Sequence, residues 1–481
     1  MSGTPQILRA KLNKGRPAIV VTHRLTTAMH ADVIHVIEQG RIVESGNHDE
    51  LLRTRGSVCR VMEQADERHG ERWSIQGMMT GMRLENQLLL CVARRSVDTA
   101  TVERIRSLVE QELNWEYSLD SADRHGLMPL LYRHLSYGCP EVMPEDVRIK
   151  LKHEFLNNSR WTLYLTSELL RIVKFLEDNG ISAVGFKGPL LSLAAYGDIA
   201  LRQFWDLDIL VDKRDFRRTK ALLESEGYAI DLRLTAAQQS SHLRFDCEVP
   251  FRHAESGCVV DLHWGLAPKR FPSSLTQEDI FKRLQTIKVG KHALRTFSNE
   301  DLLLFLCVHG AKHLWSRLEW ICAVAELVRN SEGIDWTTVV ELAKKSHGLR
   351  RLLLGLMLAR DLQPELDIPG PVFAAVPDCE SLQRCAERLR ERIFEIKSEK
   401  ENQTGIFLFH LIAMDRKLDA FIGLLRSMLL PTVSDWRFVT LPDALYPLYY
   451  VLRPLRLAAE YSAALGKWIR SRTRFLMKSP T

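Results

Sequence analysis

Phe204-Trp205-Asp206-Leu207-Asp208-Ile209-Leu210-Val211 decides how this chain is read. Side chains alternate between the faces of a β-strand, so Asp206 and Asp208 point one way while Leu207, Ile209 and Val211 point into a core. Carboxylates two residues apart on a strand stand about 7 Å apart at the backbone, close enough to bracket one or two divalent ions. The competing reading is a solvated strand face with two chance acids, and an isolated D-x-D does little to exclude it.

The flanking sequence narrows the choice. Trp161 to Asn179 carries Leu, Ile, Val and Phe at helical spacing and runs into Gly180, a helix stop. Ile181 to Phe186 reads as a strand leading into the turn Gly185-Phe186-Lys187-Gly188-Pro189. Glycine at such a turn lets backbone N–H groups approach a phosphate, and a helix starting at Pro189 adds the favourable end of its dipole. Asp212 is placed to cap a helix through Arg214 to Glu226 that stops at Gly227. Cys258-Val259-Val260-Asp261-Leu262-His263-Trp264 reads as a further strand, with Asp261 and His263 on one face and Val260 and Leu262 on the other. A third carboxylate on a neighbouring strand is what a two-metal phosphoryl-transfer site needs, one acid bridging while the others complete oxygen shells open to water and phosphate.

In combination these residues resemble the polymerase-beta-like nucleotidyltransferase superfamily and, more narrowly, its bacterial group of uncharacterised nucleotidyltransferases. The narrower likeness rests on Phe186-Lys187-Gly188-Pro189, Tyr196-Gly197-Asp198, Leu201-Arg202, Asp206-Leu207-Asp208 and Val260-Asp261-Leu262-His263-Trp264. It extends from about Asn86 to about Tyr461 and takes in His125-Gly126-Leu127, His309-Gly310-Ala311-Lys312-His313 and Leu452-Arg453-Pro454. The resemblance implies an α+β protein, a small mixed-sheet palm between mostly helical lobes. It also implies metal-dependent transfer of NMP from an NTP to an acceptor hydroxyl or phosphate. Asp206, Asp208 and Asp261 would be catalytic and would hold Mg²⁺ or Mn²⁺, while Gly185, Lys187, Gly188 and Arg202 would contact the nucleotide.

Each secondary candidate has a plainer reading beside it. For Arg202 it is a surface arginine. His263 either orients Asp261 or is a satisfied core histidine under Trp264. His309 and His313, four apart on a helical face, have metal-binding spacing, but without a nearby third ligand they read as packing or substrate lining. Lys312 either faces substrate phosphates or is solvated. Two departures favour an alternative, a non-catalytic nucleotide-binding or interaction protein on the same fold. Relatives often carry Asp where Ala323 stands, and the wider superfamily has Gly-Ser where this chain has Lys187-Gly188.

The first part of the chain reads differently. Pro17 to Leu25 and Ala31 to Gly46 resemble the last segment of an ABC transporter ATPase domain, over roughly Gly15 to Gln64. His23 would match the γ-phosphate-sensing histidine, and His48-Asp49-Glu50-Leu51-Leu52 the closing helix. No G-x-x-x-x-G-K-S/T loop, Leu-Ser-Gly-Gly-Gln signature or acidic Walker B strand occurs in the 481 residues. Without them this piece alone cannot bind or split ATP, so an ABC-associated ATP-binding role ranks behind a fusion remnant or a misplaced start codon.

Composition is that of an ordinary globular protein, 46% hydrophobic and 26% charged, and the length allows two or three domains. A formal charge of +6 is too small to argue for nucleic acid as a partner. Nine scattered cysteines without C-x-x-C read as reduced core thiols. No signal peptide or long apolar run appears; Leu441 to Leu457 is interrupted by Asp443, Arg453 and Arg456, so a cytoplasmic location is expected. The tail interleaves Lys467, Arg470, Arg472, Arg474 and Lys478 with Trp468, Phe475 and Leu476, a solvated helix or a membrane-surface one. The expected divisions are an ABC-like remnant (1–65), a linker (66–85), a helical lobe (86–179, broken near Gly138-Cys139-Pro140), the palm (180–270), a helical lobe (271–461) and the basic tail (462–481).

Overall fold

The computed structural model describes residues 34–38, 41–46 and 81–460, apart from 231–232, 272, 274, 331–332, 377–378 and 396–408. The chain divides into two compact units, Met1–Thr80 and Gly81–Thr481. In the first, β1 (Ile34–Glu38) and β2 (Arg41–Gly46) form an antiparallel hairpin whose register shifts between Val36 and Ile37. His23, the 48–52 segment, most of the expected linker and the basic tail lie outside the described residues.

The second unit begins with five helices: α1 (Leu84–Val92), α2 (Thr99–Val109), α3 (Trp115–Arg124), α4 (Met128–Gly138) and α5 (Glu145–Asp178). The expected break at Gly138 is there, but three further breaks precede it, two of them fixed by helix caps. Asp98 and Asn114 each accept a hydrogen bond from a first-turn N–H and start new helices. On α5 the buried positions Leu165, Leu169, Ile172 and Leu176 recur at three- and four-residue steps, one stripe laid against the sheet. The helix ends ahead of Gly180, which takes φ +72°.

The palm is a five-stranded mixed sheet. Its strands are β3 (Ala183–Gly185), β4 (Asp206–Val211), β5 (Tyr228–Ala229), β6 (Glu248–His253) and β7 (Val259–His263), in spatial order β3-β4-β7-β6-β5. Only β4 and β7 run parallel, in a register that sets Asp208 beside Asp261 and Leu210 beside His263. Between β3 and β4 lie α6 (Gly188–Leu191), a π-helical turn (Ser192–Tyr196) and a 3₁₀ turn (Ile199–Leu201). Between β4 and β5, α7 (Phe216–Ser225) follows a 3₁₀ turn capped by Asp212, and between β5 and β6 stands α8 (Ala236–Phe245). Leu207, Ile209, Val211, Val249, Phe251, Val260 and Leu262 all enter one core cluster with α5, so one face of the sheet is apolar throughout.

The region after Phe271 is not helical at once. A short helix, α9 (Gln277–Phe281), precedes a hairpin of β8 (Gln285–Val289) and β9 (His292–Thr296), whose Val289 and Leu294 join the palm core. Helices then take over: α10 (Asn299–Lys312), α11 (Leu318–Asn330), α12 (Trp336–Lys345), α13 (Leu349–Leu362), α14 (Gly370–Ala374), α15 (Cys379–Arg392), α16 (Lys417–Leu429) and α17 (Val433–Phe438). The protein is thus α+β, a small mixed sheet amid helices. The seven described cysteines whose burial is defined are free and buried.

Candidate active site

Alternation on three neighbouring strands concentrates polar groups on the face opposite the core. Strand β4 supplies Asp206 and Asp208, β7 supplies Asp261 and His263, and β6 supplies Glu248, the cross-strand partner of His263. Strand β6 tolerates Pro250 for a geometric reason. The bonds His253 N–H to Cys258 O (2.8 Å) and Trp264 N–H to Cys247 O (2.9 Å) put odd-numbered β6 residues in the bonded positions towards β7. The N–H that Pro250 lacks would therefore face away from β7, where β5 reaches only Arg252 and His253.

Asp208 is the centre of the cluster. One of its oxygens, Oδ1, lies 2.5 Å from Lys187 Nζ and 3.0 Å from His263 Nε2. The other imidazole nitrogen, His263 Nδ1, lies 3.2 Å from Glu248 Oε2, and Lys312 Nζ of α10 stands 3.9 Å from Glu248 Oε1. Phe186, fully buried, packs edge-on against the His263 ring at 5.0 Å and stacks on Phe297 at 4.6 Å. His263 is thus clamped between two carboxylates and an aromatic ring. Its partner is Asp208 rather than Asp261, and it does not sit under Trp264, which packs on Phe216 at 4.8 Å within the core.

The charges are unbalanced. Four carboxylates face two lysines, and the titration of the carboxylates and of Lys187 reflects it. Burial, then repulsion from Asp206 and Asp208, pushes Asp261 up to about 7. Burial and the charge of Asp208 likewise raise Asp206. Burial works against ionised Asp208 too, but Lys187 and His263 overcome it and hold the carboxyl below its usual range. Burial would lower Lys187, and Asp208 and Asp206 instead raise it. Among the described residues, Asp208, Asp261 and His263 offer donor atoms all within 4.8 Å of one another, as do Cys247, Glu248 and His263. A nitrogen and crowded carboxylate oxygens beside repelling acids fit a divalent cation.

The turn that carries Lys187 is held from behind. Gly188 takes φ +51°, and a Cβ there would meet the Asp206 carbonyl oxygen at 3.4 Å, so the left-handed conformation favours glycine. Its own carbonyl accepts from Arg202 Nη1 (3.4 Å), while Arg202 Nη2 lies 2.5 Å from Glu319 Oε1. Arg202 is buried and engaged, not a solvated arginine; this guanidinium ties the turn to α11. Arg317 Nη2 holds the other oxygen of Glu319 at 3.2 Å. Asn158 of α5 donates to the Ala200 and Arg202 carbonyls at 3.0 and 3.1 Å, fixing the segment that enters β4. Gly185 lies in β3, its carbonyl accepting from Thr296 Oγ1 (2.9 Å) and its α-carbon crowded by Leu190 and Leu169.

Helix α10 borders the same face. The His309 and His313 rings lie 4.7 Å apart and both meet Trp320, at 5.5 and 5.2 Å. Burial and the Lys187 charge hold His309 well below its ordinary value, and burial and Lys312 bring His313 down to about 4. Neither belongs to a three-ligand cluster among the described residues. Ala323 is buried in α11. Sequence reasoning missed Glu248: Val249 and Phe251 alternate with Glu248 and Arg252, but Pro250 in the same run argues against a strand.

This arrangement, acids on adjacent parallel strands behind a glycine turn that bears a lysine, is that of a nucleotidyl-transfer fold. The family model described as "Uncharacterised nucleotidyltransferase" matches residues 111–364, and the chain belongs to that family. Shorter likenesses connect it to ABC proteins. It is 50% identical over 58 residues to ABC multidrug transporter MDR2 of Trichophyton interdigitale, covering 11% of this chain and 4% of the transporter. It is 47% identical over 57 residues to the heterocyst differentiation ATP-binding protein HepA of Nostoc, 12% of this chain and 9% of that protein. The heavy metal tolerance protein of Schizosaccharomyces pombe matches at 44% over 64 residues, 13% and 8% of the two chains. The chain therefore spans less than a tenth of the length of these relatives.

Proposed function

We propose that this protein is a metal-dependent nucleotidyltransferase that moves NMP from an NTP to an acceptor hydroxyl or phosphate. The observation that carries this reading is the pairing of Asp208 with Asp261 on parallel strands, with Asp206 on the same face and Lys187 at the turn beside them. Asp206, Asp208 and Asp261 would hold Mg²⁺ or Mn²⁺, with His263 bracing Asp208 from behind. Such ions, when bound, neutralise triphosphate charge and acidify an acceptor hydroxyl.

The chain's own residues do the positioning. Lys187 exchanges its contact with Asp208 for a triphosphate oxygen, and the backbone N–H of Gly188 donates beside it. Glu248 and Phe186 fix the His263 ring, which in turn keeps Asp208 in place. Arg202 acts through the turn, held by Glu319, rather than on the nucleotide. Asp261 takes the acceptor proton as the acceptor oxygen bonds to the α-phosphorus. The bond from that phosphorus to the pyrophosphate oxygen breaks, and pyrophosphate leaves.

The test uses α-labelled and γ-labelled NTPs, Mg²⁺ or Mn²⁺, and cell extract as the acceptor source. Label transfer from the α position, absent in Asp206→Ala and Asp208→Ala, is the expected result. NTP binding without transfer to any acceptor favours the non-catalytic reading. Release of γ-label that survives both changes but requires His23 assigns the activity to the ABC-like segment.

A further inference from the structure

The charge of this chain is unevenly placed. Residues 416–481 hold eleven Lys or Arg against four Asp or Glu, a surplus of seven, although the whole chain carries only +6. The preceding 415 residues therefore sum to −1. Where that basic stretch is described, large apolar side chains face water at helical spacing. On α16, Leu418, Phe421, Leu425 and Met428 recur at three- and four-residue steps and are 65, 60, 46 and 47% exposed. Leu448, Val451 and Leu455 repeat the pattern along the 449–460 helix and its approach, at 47, 60 and 62%.

The other sides of these helices are occupied. Ala420 and Gly423 of α16 are buried, and Tyr449 is buried with its hydroxyl donating to the Val439 carbonyl at 2.6 Å. Arg453 fastens the second helix to the end of the first, donating to the Ser427 carbonyl at 2.9 Å and to Asp435 at 2.7 Å. The two apolar stripes thus belong to one packed piece of structure. Past it the sequence interleaves Lys467, Arg470, Arg472, Arg474 and Lys478 with Trp468, Phe475 and Leu476.

We propose that residues 416–481 dock this protein on the surface of an anionic lipid bilayer. Exposed apolar side chains enter the boundary between headgroups and acyl chains while lysines and arginines meet the lipid phosphates. Among the described residues no helix is long and apolar enough to cross a membrane, so the mode is contact with the surface. A second copy pressed against the same face would bring two like-charged stretches together, which repulsion opposes; an anionic surface satisfies charge and apolar area at once. The docking leaves the acid cluster to its own chemistry, since none of its residues lies in 416–481.

The experiment sediments the full-length protein with phosphatidylcholine vesicles, with and without about one third phosphatidylglycerol, at low and high salt. Expected are binding to the anionic vesicles at least about ten-fold above the neutral ones and loss of most of it at high salt. Phe421→Glu with Leu425→Glu, and separately Arg470→Glu with Arg472→Glu and Arg474→Glu, should each weaken binding by about ten-fold or more. Ile149→Glu, an exposed apolar site on α5, should leave it unchanged. Thermal unfolding identical to wild type shows that the face variant is folded, and should it not be, the tail variant tests the proposal by itself. Equal binding to both vesicle types, or binding indifferent to both sets of changes, overturns the proposal. So does failure to bind anionic vesicles, including the case of a dimer in light scattering that Phe421→Glu dissociates, which gives the face to a second copy.

Discussion

Lys187 and Gly188 are neighbours in the chain, yet they serve two charge clusters built in opposite ways. The Lys187 amine faces Asp208, Asp206 and Glu248 in a cluster with Asp261, where carboxylates outnumber lysines and burial and mutual repulsion raise Asp206 and Asp261. The Gly188 carbonyl faces Arg202, whose guanidinium meets Glu319, itself held from the other side by Arg317. Every charge in the second cluster has a partner. The first keeps repulsion that folding alone would not select, and such excess is tolerated where a cation or a polyanion complex is to be bound. On the proposed function, the first cluster would carry the chemistry while the second holds the turn.

The largest expected effect separates the two directly. Asp206→Asn should lower nucleotidyl transfer by at least about 10³-fold, roughly 4 kcal/mol of transition-state stabilisation, in single-turnover assays. Its unfolding midpoint should stay level or rise, because the fold disfavours the ionised carboxylate that asparagine replaces. A variant that loses activity and stability together would make Asp206 a structural acid.

Glu319→Ala should behave in the opposite sense. Removing one member of a buried pair strands Arg202 and costs about 3–5 kcal/mol, read as a shifted denaturant midpoint. Arg202→Ala should match it. If Arg202→Ala instead raises the KM for NTP and leaves unfolding alone, that arginine is a nucleotide contact and the division between clusters fails.

The holding cluster also predicts a pH dependence. His125 is buried, accepts the Leu318 N–H through Nδ1 at 3.3 Å and gives its carbonyl to the Glu319 N–H at 3.1 Å. Burial, then Arg124 and Arg317, bring it down to about 4. An unfolded histidine titrates near 6.5, so between those values the unfolded chain binds a proton that the folded one refuses. Stability should therefore be intact above about pH 6.5 and fall as pH drops towards 4, by at most about 3 kcal/mol from this residue. His125→Asn should flatten part of that slope. An unchanged slope would leave the effect with His313 and His410, which burial also holds at about 4.

What the sequence made legible follows the same divide. Strand alternation located Asp206, Asp208, Asp261 and His263 on one face, because period two is a local property of the chain. Contacts across the chain were not legible. Arg202 meets Glu319 across 117 residues and His263 meets Asp208 across 55, and no spacing rule reports either. The hairpin at 285–296 hid in a region read as helical because its strands are short and half exposed. Strand β6 hid behind Pro250, a residue that argues against a strand until the uncovered edge is known.

Glu248 offers the smallest and most discriminating effect. Its carboxylate stands beside His263 and within reach of Lys312, at the junction of the acid cluster and α10. If it orients the imidazole that braces Asp208, Glu248→Gln should weaken Mn²⁺ binding by about 10–100-fold, measured by calorimetry or by Mn²⁺ electron resonance without any acceptor. Unfolding should barely move, because the side chain is 35% exposed and glutamine keeps its shape. Glu248→Asp, which keeps the charge but shortens the reach, should recover less affinity than wild type and more than glutamine. Equal Mn²⁺ affinity in all three proteins would assign Glu248 to a rim pair with Lys312, and the acid cluster would then end at β7.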